Sequence, residues 1–113
     1  MKKTIATIIL AVSAATASAQ YTYPGNEMLG ELNQGANWSN GQANGFIWGI
    51  TDVLLVQEVI CIGTGTTRKQ LSDVVQQYIQ VNPKYRHRDS VYLASAALIE
   101  AFPCNRQSKG TPS

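Results

Sequence analysis

Charge, cysteine and histidine are scarce in this chain, and each shortage removes a class of chemistry. Of 113 residues only 14% are charged, two are cysteine and one is histidine. So few cysteine and histidine side chains cannot build a zinc cage from one chain, and no metal or other cofactor is expected. The nine basic and seven acidic residues leave a formal charge of +2. Without Lys2 and Lys3, which lie in a segment read below as removable, the two signs balance. A neutral domain lacks the basic surplus that holds nucleic acid or an anionic membrane surface, so neither is expected as a partner. Long hydrophobic runs are missing too. The apolar stretch from Ile5 to Ala15 falls well short of the ~20 residues that span a bilayer.

That stretch has another use. Lys2 and Lys3 give it a basic start, and Ala17-Ser18-Ala19 supplies small residues before Gln20, which is the pattern of a cleaved secretory signal. Residues 1–19 are therefore read as the signal, 20–104 as one folded domain, and the polar segment 105–113 as a disordered tail. Export places Cys61 and Cys104 in an oxidising compartment, where each has only one intramolecular mate. One disulfide is expected.

Periodicity makes the domain all-α, a small bundle of about four helices, because no strand alternation, repeat or heptad is visible. A short helix is predicted from Asn26 to Asn33, and the Gly-, Asn- and Ser-rich stretch from Gln34 to Gln42 reads as a loop carrying Trp38. A long helix follows from Gln42 to Ile60, with Phe46, Ile47, Ile50, Val53, Leu54 and Ile60 on its predicted core face. Trp48, Leu55 and Val59 fall on the other side around Asp52, so this helix is apolar nearly all round and needs a second cover. Thr67-Arg68-Lys69-Gln70 fits a capping box, and Asn82-Pro83 stops the helix it opens. A last helix runs from Asp89 or Ser90 to Phe102, ahead of Pro103, with Val91, Ala94, Leu98, Ala101 and Phe102 as its predicted core face.

Candidate chemistry is thin. His87 lies in Lys84-Tyr85-Arg86-His87-Arg88, and no nucleophile arrangement accompanies it. The run from Gly63 to Lys69 resembles a phosphate cradle but lacks its Gly-Lys-Ser/Thr ending and a preceding strand. A protein-binding role is the alternative, since Tyr85, Arg86, His87 and Arg88 form a basic, aromatic connector and such residues anchor interfaces. Trp38 is the second candidate.

The chain also resembles a known family. The residues that carry the likeness are Gly49-Ile50-Thr51-Asp52, Cys61-Ile62, Thr66, Gln70-Leu71, Val74-Val75, Tyr78, Asn82-Pro83, Arg86-His87, Ala97-Leu98 and Ala101-Phe102-Pro103-Cys104. Spread over roughly half the chain, they are similar to the type VI secretion amidase-immunity proteins of the Rap/Tai group. The resemblance implies a periplasmic, cystine-bridged helical homodimer, not an enzyme, that binds a peptidoglycan amidase and blocks its cleft. It also gives the face around Trp48, Asp52, Leu55 and Val59 a use as the subunit interface. A periplasmic stress chaperone is the rival reading, although the sequence offers no dense acid-sensing cluster.

Overall fold

The computed structural model describes residues 22–104, so the predicted signal and tail lie outside the described residues. Four α-helices form the domain: α1 (Gly25–Leu32), α2 (Trp38–Val56), α3 (Arg68–Val81) and α4 (Ser90–Ala101), with a single 3-10 turn, Pro83–Tyr85, between the last two. No strand occurs among the described residues, and Cys61 and Cys104 are joined. The all-α bundle with one disulfide is thus the observed architecture.

The third helix matches its sequence signals. The Thr67 hydroxyl accepts from the Gln70 N–H at 3.2 Å while the Gln70 side chain accepts from the Thr67 N–H at 2.7 Å. This reciprocal cap satisfies two donors that a helix start leaves open. Leu71, Val75 and Ile79 then face the core.

Both ends of α2 differ from the prediction. Its N-cap is Asn37, whose side chain accepts from the Asn40 N–H at 2.8 Å, so the helix starts at Trp38 inside the segment read as a loop. Helix formation also ends earlier than Ile60. Glu58 turns into the left-handed region at φ 59°, the Glu58 N–H reaches the Leu55 carbonyl at 3.0 Å, and Val59 N–H reaches that of Leu54 at 2.9 Å. These paired bonds form a Schellman stop, usually made with glycine. Glu58→Gly should therefore raise stability by about 1 kcal/mol, because glycine holds this conformation without the Cβ clash. Urea unfolding checks it, and a loss of stability would mean that Glu58 has a compensating contact.

Past this stop the chain extends. Ile60 pairs with Pro103, the Cys61 N–H donates to the Phe102 carbonyl at 2.9 Å, and the cystine follows with its Cα atoms 4.8 Å apart. Ile60 is buried from this extended segment, not from a helix face.

The core consists of Met28, Leu29 and Leu32 from α1, Ala43, Ile47 and Leu54 from α2, the α3 stripe, and Leu93, Ala94, Ala97 and Leu98 from α4. Two predicted faces are rotated. Val53 is 52% exposed and buried Thr51 takes the inward position, donating to the Ile47 carbonyl at 2.8 Å. On α4 the inward face carries Leu93 and Ala97, and Val91 and Ala101 point outward. Both helices are apolar on several sides, so packing partners choose the face.

The outer face of α2 contains Gly41, Gly45 and Gly49, all exposed, and a Cβ at any of them would meet no atom within 4 Å. Each costs the helix about 0.5–1 kcal/mol relative to alanine. Nothing inside the subunit requires them.

Candidate partner-binding surface

The connector between α3 and α4 is built around the open end of α3. Helix C-termini leave carbonyls without partners and carry partial negative charge. Arg86 answers both needs, donating from Nε to the Ile79 carbonyl at 3.0 Å and from Nη2 to that of Gln80 at 2.7 Å. Asn82 adds a bond from its side-chain amide to the Tyr78 carbonyl at 2.8 Å.

The same connector caps α1. Pro24, at the N-cap, provides no side-chain acceptor. Instead the Gly25 N–H donates to the Arg88 carbonyl and the Asn26 N–H to the Arg86 carbonyl, both at 2.8 Å. Gly25 is the residue this approach demands, since a Cβ there would collide with Leu93 and lie 3.0 Å from the Arg86 oxygen. Finally, the Ser90 N–H bonds the Tyr23 carbonyl at 2.7 Å. The connector backbone is held by α1 on one side and α3 on the other.

Its side chains divide accordingly. Tyr85 is half-buried against the core, with Lys84 Nζ and the Arg88 guanidinium each 4.9 Å from its ring centre. The Arg88 guanidinium also lies 5.2 Å from the ring of Tyr92, which is 57% exposed. His87 and Arg88 are exposed. What faces solvent is therefore a basic, aromatic patch of Lys84, the edge of Tyr85, His87, Arg88 and Tyr92. Arg86 is spent on the fold. Tyr92 was not among the sequence candidates, although its place four residues after Arg88 is the spacing that brings the two together.

Trp38 does not join this patch. It sits in the first turn of α2 and is 80% exposed. Trp48, by contrast, is half-buried within the subunit. Its indole N–H donates to the Arg68 carbonyl at 3.1 Å, and the Arg68 guanidinium lies 5.1 Å from the ring centre. Asp52 is exposed, and Leu55 and Val59 are partly so. A cleft of about 460 Å³ between α1 and α2 is lined by Tyr23, Glu27, Glu31 and Phe46 among others, and the Tyr23 hydroxyl donates to Glu31. Among the described residues no group of three His, Cys, Asp or Glu side chains is placed to hold a metal ion. None of their helices is long and apolar enough to cross a membrane.

These features define a cystine-bridged helical scaffold that presents a pinned basic patch. Comparison with known families matches residues 13–104 to the Rap1a immunity proteins, and the chain belongs to that family. Membership implies an immunity protein, which acts by binding a protein effector of a type VI system rather than by turning over a substrate. Searches of curated proteins and of solved structures found no match.

Proposed function

We propose that residues 1–19 direct export to the periplasm, and that the mature domain there binds a peptidoglycan amidase effector and occludes its cleft. The observation that carries this reading is the double anchoring of the connector. A loop held in place before binding loses little conformational freedom on complex formation, which raises affinity without new contacts. Lys84, Arg88 and Tyr92 are the proposed contact side chains, with Tyr85 and His87 beside them and Arg86 as their support. The cystine belongs to the same picture, because it forms only where thiols are oxidised.

We also infer a homodimer through the outer side of α2 and the turn that ends it, where Asp52, Leu55 and Val59 remain accessible. Trp48 contributes by holding α3 against α2 beneath that surface.

The test is a binding and inhibition assay with the oxidised mature domain against the amidases encoded in its own genome. Nanomolar binding to one of them, with loss of its peptidoglycan cleavage, is the expected result. The double variant K84E/R88E should weaken that binding at least tenfold and steepen no unfolding transition, since exposed charges at an interface govern association and its salt dependence. Full inhibition by K84E/R88E would remove the connector from the contact surface, and no amidase bound at all would remove the amidase reading.

A further inference from the structure

A second cleft opens where α1, α2 and α3 meet. Its volume is about 280 Å³, with Leu32 and Trp48 in its apolar lining and Asn44, Ser72, Asp73 and Gln76 in its polar lining. Small-molecule sites start at ~300 Å³, so the space suits a single ring with its substituents.

Ser72 is the unusual member. It is 6% exposed, and its hydroxyl has no hydrogen-bond partner. A hydroxyl inside a helix can donate to the carbonyl four residues back, as buried Thr51 does to Ile47 at 2.8 Å. For Ser72 that carbonyl belongs to Arg68, and it already accepts from the Trp48 indole N–H at 3.1 Å. A buried polar group left in this state calls for a partner from outside the chain.

Two amides beside it are fixed with their oxygens open. Asn40 Nδ2 donates to the Leu32 and Gln34 carbonyls at 3.3 and 3.2 Å, and Asn40 Oδ1 accepts from Asn44 Nδ2 at 2.9 Å. The Asn44 oxygen is then left over. Gln76 Nε2 donates to Asn33 Oδ1 at 2.6 Å, which leaves the Gln76 oxygen over as well. Turning either amide round would set oxygen against oxygen, so the acceptors are oriented before any ligand arrives. At the rim, Lys69 Nζ and the Asp73 carboxylate pair at 3.1 Å and cancel in charge.

This array asks for a ligand with several O–H or N–H donors, an apolar side and no charge. An anion would meet the open acceptor oxygens, and a cation would meet Lys69. We propose that the cleft binds one neutral saccharide unit. Its hydroxyls donate to Asn44 Oδ1 and Gln76 Oε1, its carbon-bound face lies against Leu32 and Trp48, and it pairs with Ser72 once that hydroxyl turns to the staggered position facing the cleft. The site lies beside the first half of α3, away from the connector that leaves the other end, so it does not rest on the effector reading. A free sugar and the end of a cell-wall glycan present the same hydroxyl-bearing ring.

The experiment is titration of the exported, cystine-intact chain, followed by nitrogen–proton NMR, with four probes: glucose, N-acetylglucosamine, peptide-free glycan strands and butylammonium. The expected result is a saturable shift of the Asn44 and Gln76 side-chain amides and the Trp48 indole N–H with at least one sugar. A monosaccharide of about 12–15 non-hydrogen atoms should bind with a dissociation constant of a few millimolar. Glycan strands binding at least tenfold tighter than N-acetylglucosamine would uphold the site with a glycan end as its source, and equal affinity would uphold it for a free sugar. Ser72→Ala should weaken binding at least threefold while its urea midpoint stays level or rises, because the unpaired hydroxyl is gone. A lower urea midpoint for S72A would show that the hydroxyl serves the fold and would overturn the proposal. So would sugar binding unchanged by S72A, shifts confined to other residues, tighter binding of butylammonium, or no shift at 100 mM of either monosaccharide and none with the strands.

Discussion

Cys61→Ser should lower the unfolding free energy by about 4 kcal/mol in oxidising buffer, the amount by which a closed loop of this length restricts the unfolded ensemble. The two half-cystines are 43 residues apart and enclose all of α3, the 3-10 turn and all of α4. A small domain has only about 5–15 kcal/mol in total, so this single link carries a large share of it. The midpoint of thermal unfolding should fall by roughly 15–30 °C. With reductant present, the parent and the variant should unfold together. An equal deficit in both buffers would trace the effect to packing of the serine and not to the bridge. Without the bridge, the extended segments at Ile60 and Pro103 are held by their backbone pairing and by the burial of Ile60 in the core.

The second large effect concerns two arginines that look interchangeable in the sequence. Arg86→Ala should cost about 2 kcal/mol, because it strips charge-assisted bonds from the Ile79 and Gln80 carbonyls and removes the cation from the end of α3. Arg88→Ala should cost well under 1 kcal/mol, since its guanidinium lies over exposed ring faces and bonds no helix carbonyl. Effector binding should show the reverse ranking once measured on the folded fraction. Arg86→Lys should recover only part of the loss, because a single ammonium cannot reproduce the fork that reaches two carbonyls. Urea unfolding at unchanged m value measures each. Equal destabilisation by the two alanine variants would contradict the division of labour drawn for the connector.

That division bears on the proposed inhibition. The support residue that holds the loop and the proposed contact residues are neighbours in the chain, so a substitution at either is expected to weaken binding for different reasons. Unfolding data separate them.

The features readable from residue order are those with local causes. The capping box at Thr67 and Gln70, the halt at Asn82-Pro83, the end of α4 before Pro103 and the cystine depend on neighbours in the chain or on simple pairing arithmetic. The start of α2 was available in the same way, since Asn37 is a good cap, but the glycines and asparagines after it suggested a loop. Its end at Val56 had no local mark, because the residue that turns left-handed is a glutamate.

Burial is a different matter. Both α2 and α4 carry apolar side chains on several sides, so their periodicity leaves the inward face open. Packing among the four helices selects Thr51 over Val53 and Leu93 over Val91. The three-dimensional arrangement likewise turns Trp48 toward Arg68, commits Arg86 to the carbonyls of α3 and frees Arg88 beside Tyr92. Backbone conformation follows mostly from interactions a few residues long, whereas the choice of buried face and the task of each arginine depend on atoms far away in the chain that folding brings into contact.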